Sequence, residues 1–230
     1  MKKFLSFLLG LVLAISGAVG ALAALIGGAG TSPGLMLSLM RRCAPSADTG
    51  LPDEDYPAVT AMITGYLAGS VDTFQHVLVD GAGAETACFN QKEQRHMADC
   101  RALFTLCREV LLAATATAAL AGLALCLTRR ARAAAAGFLA GGGLALVVLA
   151  ALAVWGVADF DGLFVLFHRL SFTNDLWLLD PRQDLLIRLM PTAFFLRYAA
   201  LIGITWLALM ALGEALAAVI FHRAGRPAHS

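Results

Sequence analysis

The sequence predicts an all-α integral membrane protein with four transmembrane helices and with helical extracytoplasmic segments between helices 1 and 2 and between helices 3 and 4. Of the 230 residues, 59% are hydrophobic and 14% are charged, and the mean hydropathy is +0.75. These values are far from the averages of soluble domains. Four apolar runs are each long enough to cross a hydrocarbon core of about 30 Å. Basic residues flank these runs unequally on the two sides.

The apolar runs place the predicted spans at about 4–29, 103–127, 134–158 and 198–221, within one membrane domain over 1–230. The first run could instead be a signal peptide, because Ala21-Leu22-Ala23 has the form of a cleavage site. It is long for such a peptide, so we expect a retained helix. Glu214 alone interrupts the fourth run, and a carboxylate within a membrane span is a functional candidate by default.

Lysine and arginine near the helix ends predict the orientation. The N-terminus, the 128–133 loop and the 222–230 tail carry basic residues and no acidic ones: Lys2, Lys3, Arg129, Arg130, Arg132, Arg223 and Arg226. We therefore expect them in the cytoplasm. Segments 30–102 and 159–197 carry more acidic than basic residues and are expected outside. Without a basic patch, nucleic-acid binding is excluded as a function.

The first outer segment begins with a Gly/Ser/Pro-rich stretch, which we expect to be a loop through Pro52. The helical spacing of its apolar residues then predicts an amphipathic helix; these residues are Val59, Met62, Ile63, Tyr66 and Leu67. Asn90 and Glu93 have the spacing of a capping box. A helix should therefore begin near Gln91 and continue into the second span, with His96, Cys100, Leu103 and Cys107 on one face.

The second outer segment contains "FHRLSFTNDLWLLDPRQDLLIRLMP" at 167–191. It is too polar to cross a bilayer, whereas its aromatic residues suit the headgroup level. Asp180 as N-cap and Pro181 at the first helical position predict a helix start, and Pro191 should end or kink that helix.

Four cysteines, namely Cys43, Cys88, Cys100 and Cys107, fall on the outer side or at its membrane border. That compartment permits disulfides. Four cysteines allow three pairings, between which the sequence does not choose, although Cys43 with Cys88 is one option.

Two histidines are the best candidates for chemistry. His96 and His168 each lie close to a predicted membrane boundary in a mostly apolar stretch with carboxylates nearby. A histidine in such a place can accept and return a proton near neutral pH. His76, His222 and His229 are interpreted as ordinary polar groups. G-x-S-x-G, H-E-x-x-H and C-x-x-C are all missing, so we expect no serine nucleophile of that type, no metal and no cofactor.

The two histidine stretches resemble one family of bacterial membrane proteins. "RHMAD" at 95–99 and the 167–191 stretch, each leading into a membrane helix, are similar to the motifs of the lipoprotein intramolecular transacylase family, often called Lit. The second motif is the more specific, since it includes His168, Phe172, Asn174, Trp177, Asp180, Pro181 and Asp184. Leu170-Ser171 and Leu179 depart from the bulkier residues expected there.

The resemblance implies a transfer within a diacylglyceryl-modified lipoprotein in the bacterial cytoplasmic membrane. The sn-2 acyl chain would move to the α-amine of the N-terminal cysteine, forming a lyso-form lipoprotein. His96 and His168 would carry the proton transfers, with their individual roles left open. Candidates for substrate binding or for orienting the histidines are Tyr66, Asp99, Phe172, Asn174, Asp175 and Trp177.

Two other functions remain open at this point. The first is a histidine- or metal-dependent lipid hydrolase at the outer interface, in which water replaces the amine as acceptor. The second is a non-enzymatic membrane scaffold or transporter subunit, for which Glu214 would be the relevant residue. Replacing His96 or His168 separates these functions, because a scaffold would tolerate the change.

Overall fold

The computed structural model describes residues 1–79 and 82–225. Arg226 and His229, which the sequence analysis places in the cytoplasmic tail, lie outside the described residues. In chain order the elements are α1 (Lys2–Gly30), α2 (Pro33–Cys43), α3 (Ser46–Thr49), α4 (Tyr56–Ala68), β1 (Val77–Val79), β2 (Glu85–Ala87), α5 (Gln91–Thr128), α6 (Ala131–Ala158), α7 (Phe160–Ser171), α8 (Leu185–Leu189) and α9 (Thr192–Arg223).

Four helices, α1, α5, α6 and α9, are long and apolar enough to cross a membrane, judged by length and composition over the described residues. This agrees with the predicted class of an all-α membrane protein with four spans. Two of them extend beyond the apolar runs on the N-terminal side, because α5 already begins at Gln91 and α9 at Thr192. In α5, the polar first turns therefore continue directly into a membrane-spanning segment.

The chain divides into two compact units. The first, which we call the helix unit, consists of Met1–Leu25, Arg108–Ala158 and the chain from Ile202 onward. Glycines of α6 bring it very close to α1: a Cβ on Gly137 would lie 1.9 Å from the Phe7 carbonyl oxygen. Small residues at such contacts are typical of membrane helix packing. Helix α9 is tied to α1 by the Trp206 indole N–H, which donates to the Ala18 carbonyl at 2.8 Å.

The second unit, which we call the site unit, consists of Ile26–Cys107 and Asp159–Leu201. Its apolar core lies between α2, α4, α8 and the residues around Phe89, and its fully buried members include Met40, Val59, Ile63 and Leu189. The helix expected around 59–67 is confirmed as α4, but apolar residues cover most of its surface and it is not amphipathic. Burying their apolar residues is what makes these short helices stable.

The expected loop through Pro52 is wrong, because 33–43 forms helix α2. Ser32 caps it by accepting from the Leu35 N–H, and Pro33 occupies the first turn, where a missing N–H costs nothing. Met36, Leu39 and Met40 are buried on one face. Glycine and proline thus lie at the start of a helix that its apolar residues stabilise.

The helix start predicted at Asp180 and Pro181 is also wrong. Residues 181–183 form a turn, the helix α8 begins only at Leu185, and Asp184 is its N-cap residue. The Asp180 carboxylate instead accepts from the Arg182 N–H at 3.0 Å within this turn. Such a local aspartate turn competes with helix initiation. Pro191 lies between α8 and α9, so the predicted interruption there is confirmed.

The hairpin of β1 and β2 was not expected. Val77 pairs with Ala87 and Val79 with Glu85 in antiparallel register. Just before β1, the Gln75 side-chain amide donates to the Phe89 carbonyl at 2.7 Å, which fixes the base of the hairpin. None of the cysteines forms a disulfide in the described chain, so the Cys43–Cys88 option is not realised.

Candidate active site

His168 lies in the last turn of α7, on its buried side. Asp159 starts this helix by accepting from the Gly162 N–H at 2.8 Å. The imidazole is 6% exposed, and its Nδ1 lies 2.7 Å from the Phe164 carbonyl oxygen. Since a carbonyl can only accept, Nδ1 carries the hydrogen and Nε2 is left as the basic atom.

His96 lies in the second turn of α5. The predicted capping box is confirmed: the Asn90 N–H donates to Glu93 at 2.8 Å, and the Glu93 N–H donates to the Asn90 side chain at 3.0 Å. His96 is 7% exposed. Its Nε2 lies 3.6 Å from the Cys100 sulfur, whereas its Nδ1 is buried without a hydrogen-bond partner in the described part of the chain. A buried ring nitrogen without a hydrogen-bond partner lowers the stability of the fold, so this atom is a candidate for a functional role.

The two imidazoles are neighbours. Their ring centroids are 6.1 Å apart, although the residues are far apart in sequence. Phe172 packs against both, at 5.4 Å from His96 and 5.6 Å from His168. The His168 ring also contacts Trp177 at 4.9 Å and Phe164 at 4.1 Å. The structure therefore brings both predicted histidines together among aromatic rings.

This aromatic surround sets the charge state. Burial lowers the pKa of His168 from its ordinary value of 6.5, and the hydrogen bond to the Phe164 carbonyl opposes that shift. Two imidazoles this close also repel each other when both are protonated. The arrangement favours at most one positive charge, so one ring can accept a proton while the other remains neutral.

The segment after α7, residues 172–178, is held to α5 by a side-chain pair. Asn174 donates through its amide to the Asp99 carboxylate at 2.9 Å. The other end of the amide accepts from the Leu176 N–H at 3.0 Å, which stabilises a local turn. Asp99 and Asn174, predicted as orienting residues, thus form the pair that keeps Phe172 and Trp177 near the histidines.

A pocket of about 230 Å³ opens beside the histidine pair. Its lining residues are Arg169, Phe172, Thr173, Asn174, Asp175, Trp177 and Leu178. Asp175 is therefore placed at this pocket and not at the imidazoles. Tyr66, the remaining candidate, lies in the apolar core, where it packs against Phe74 at 5.4 Å and under the Arg101 guanidinium at 4.9 Å. No ring contact of Tyr66 with a histidine occurs among the described residues.

A network of buried carboxylates behind the site was missed. The Glu93 side chain, 1% exposed, accepts from the Leu186 N–H at 2.7 Å as well as from Asn90. Asp184, 3% exposed, accepts from the Asn90 side chain at 2.6 Å and from the Asp180 N–H at 2.7 Å. The capping box signalled the local half of this network. Its partners near residue 184 depend on tertiary structure.

Metal binding has no geometric support: within 1–79 and 82–225, no group of three or more His, Cys, Asp or Glu side chains could hold an ion.

Lys92 contacts the network of buried carboxylates, where it donates to the Leu178 carbonyl and lies 3.7 Å from Asp184. This ties the far end of the 172–178 segment to α5.

Comparisons with known proteins agree on one family. The family model described as "Lipoprotein intramolecular transacylase Lit" matches residues 39–195. A structure of the membrane-integral lipoprotein intramolecular transacylase Lit from Bacillus cereus is 22% identical, covers 97% of each chain and has a TM-score of 0.71. Two structures of the same protein with a single histidine replaced, by arginine or alanine, are 21% identical, with TM-scores of 0.65 and 0.66. They cover 97% of this chain and 93% or 94% of theirs. At this identity the structural likeness supports the fold. The search of curated proteins found no match.

Proposed function

This chain belongs to the lipoprotein intramolecular transacylase family, and from that premise we propose the reaction that its two histidines carry out. The substrate is a lipoprotein whose N-terminal cysteine bears diacylglycerol on sulfur. The sn-2 acyl chain moves to the α-amine of that cysteine. The product is a lyso-form lipoprotein with an amide-linked acyl chain and a free sn-2 hydroxyl.

One observation carries the proposal: two buried imidazoles 6.1 Å apart each keep one ring nitrogen without a hydrogen-bond partner in the described chain. In His168 that atom is Nε2, because Nδ1 is held by the Phe164 carbonyl. In His96 it is Nδ1, because Nε2 lies beside Cys100. We assign these two atoms to the proton transfers.

The reaction needs a base and an acid. The α-amine of the substrate has an unperturbed pKa of about 7.7–8.0, so most of it is protonated at neutral pH. One imidazole takes the proton from the attacking nitrogen as the C–N bond forms at the sn-2 carbonyl. When the ester C–O bond breaks, the other imidazole gives a proton to the departing glyceryl oxygen. Starting from the neutral amine, the ester is thereby exchanged for an amide and a hydroxyl with no net proton released, whereas the ammonium form first loses one proton to solvent.

A protein nucleophile is unnecessary, because the nucleophile and the ester belong to one molecule. Holding such groups in contact supplies roughly 7–11 kcal/mol in favourable intramolecular reactions. Phe172 and Trp177 limit water around the His168 ring, with centroids 5.6 Å and 4.9 Å away. Restricted water disfavours hydrolysis of the same ester, which supports the transacylase over the hydrolase.

We place the termini in the cytoplasm and the site at the extracytoplasmic membrane border. The charge asymmetry of the helix ends supports this orientation. The reacting ester of a membrane-anchored diacylglyceryl group lies just below the headgroups, so the site must be at that depth. His96 lies in the polar first turns of α5, which continues into an apolar span.

The test is co-expression with a diacylglyceryl lipoprotein in a bacterium that lacks N-acylation. Tandem mass spectra of the N-terminal lipopeptide should show an unchanged total mass, with one acyl chain now on nitrogen. His96→Ala and His168→Ala should abolish this product. His76→Ala is the matched control, because His76 pairs with Asp55 at 2.9 Å and makes no ring contact with either imidazole in the described chain.

Either of two results would contradict the proposal. Loss of one acyl mass would indicate a hydrolase. Retained transfer in a folded His96→Ala or His168→Ala protein would show that this imidazole does not carry the proton.

A further inference from the structure

The pocket beside the histidine pair is lined by side chains of a different kind from those around the imidazoles. Phe172 and Trp177 belong both to its lining and to the aromatic surround of His168. The pocket is therefore directly adjacent to the His168 imidazole. Besides these two rings and Leu178, its lining contains a guanidinium, a hydroxyl, an amide and a carboxylate. An acyl chain would suit this lining poorly, because it would desolvate the Arg169 and Asp175 side chains without giving them a polar partner.

Three of these polar side chains are unengaged. Arg169, Thr173 and Asp175 are exposed, and over the described residues none of their side chains makes a hydrogen bond or an ion pair. Asn174, by contrast, already uses both ends of its amide, on Asp99 and on Leu176. The pocket thus presents a cationic donor, a hydroxyl that can donate or accept, and an anionic acceptor within one short stretch of chain.

A polypeptide main chain matches this set. It alternates N–H donors and C=O acceptors, which Asp175 and Arg169 can bind respectively. A phospholipid phosphate would also suit Arg169 but would be repelled by Asp175. Trp177 and Phe172 add an apolar wall for Cα atoms and small side chains. The volume, about 230 Å³, is far larger than the roughly 10–15 Å³ that one water needs, so it leaves room for a short peptide stretch.

We propose that this pocket binds the lipoprotein main chain immediately after the lipidated cysteine, through Arg169 and Asp175. The proposal rests on the transacylase function and identifies the part of the substrate that is recognised. It explains how a site built for lipid distinguishes a lipoprotein from an ordinary diacyl lipid. Peptide contacts beside His168 would also orient the α-amine toward the imidazoles, which is where proximity accelerates the reaction.

The test compares two synthetic substrates with the purified full-length protein in micelles. One is S-diacylglyceryl-cysteinamide, and the other carries a four-residue peptide after the same cysteine. Acyl transfer is followed by mass spectrometry. The wild type should prefer the peptide substrate in kcat/KM by about tenfold, as expected of one or two added hydrogen bonds.

The double variant Arg169→Gln with Asp175→Asn should reduce that preference to about threefold or less. The matched control is Arg42→Gln with Asp48→Asn, two exposed positions in α2 and α3, which should retain the tenfold preference. Circular dichroism establishes that both variants are folded.

Several results would overturn the proposal. A wild type that turns over both substrates equally has no peptide subsite. A double variant that slows both substrates by the same factor acts on their common part. Competition by phosphatidylglycerol that the double variant relieves would assign the pocket to a lipid headgroup. Failure of the wild type to transfer acyl chains in either substrate would instead refute the proposed function, on which this inference depends.

Discussion

Replacing Glu93 by alanine should unfold the site unit more readily than any surface change. The carboxylate is 1% exposed and holds two backbone N–H groups, those of Leu186 at 2.7 Å and Asn90 at 2.8 Å. Truncation leaves both donors without an acceptor. Each stranded buried donor costs about 1–3 kcal/mol. Two such donors together would cost about 2–6 kcal/mol. Because the Asn90 bond lies partly at the surface, we expect a total in the lower half of that range, about 3 kcal/mol.

Glu93→Gln should cost about half as much. The glutamine carbonyl can still accept one of the two N–H groups, whereas its NH₂ group meets the other as a second donor. The measurement is SDS titration in mixed micelles, followed by far-UV circular dichroism and tryptophan fluorescence. Glu54→Ala is the control, because Glu54 is exposed. A Glu93→Ala protein within about 1 kcal/mol of the wild type would refute the reasoning that the Glu93 carboxylate holds Leu186 to the start of α5.

Three further predictions concern the reaction and the helix contacts. Burial lowers the pKa of His168 below 6.5, so its neutral form persists on acidification. The acid limb of the pH profile of kcat should therefore lie below pH 6.5, and an acid limb at or above that pH would contradict this prediction. Asn174→Asp opposes two carboxylates at the 2.9 Å contact with Asp99 and should lower kcat several-fold, and adding Asp99→Asn should restore most of the rate; an unrescued double variant would contradict a pairing role. Gly137→Ala places a Cβ 1.9 Å from a backbone oxygen of α1, whereas a Cβ at Gly143 would meet open space. The yield of monodisperse protein should therefore fall for Gly137→Ala and stay unchanged for Gly143→Ala.

Local chemistry is what the sequence predicted best. The start of α5 at Gln91 follows from the Asn90 and Glu93 side chains, whose capping bonds span three residues and depend on nothing distant. The same holds for α4, whose apolar spacing is visible in a single window. Four long apolar runs predicted four helices for the equally local reason that each must satisfy its own backbone in lipid.

Contacts between distant parts of the chain explain the two wrong helix predictions. The Gly/Ser/Pro-rich composition around helix α2 predicted a loop, yet the helix forms because Met36 and Met40 are buried by other elements. Asp180 had the sequence of an N-cap residue, but Asp184 takes that position since its carboxylate binds Asn90 and the Asp180 N–H. In both cases a contact far along the chain decided between two locally acceptable structures.

The pairing of the histidines also lay beyond the residues taken one stretch at a time. His96 and His168 were selected for their chemistry and through a family resemblance, and their proximity became visible only in the structure. Asn174 and Asp99 could be proposed as orienting residues, but their mutual hydrogen bond at 2.9 Å could not. Tyr66 was proposed as a further orienting residue, and it lies in the apolar core.

The central claim is that one acyl chain moves within a single lipoprotein molecule, and an isotope crossover experiment tests it most directly. One substrate carries a deuterated sn-2 chain on an unlabelled peptide, and the other carries an unlabelled chain on a ¹³C-labelled peptide. After reaction of the mixture with the purified protein, we predict N-acylated products of only the two original pairings, at unchanged total mass. Products in which a deuterated chain is joined to a ¹³C-labelled peptide, or products that have lost an acyl chain, would contradict the account.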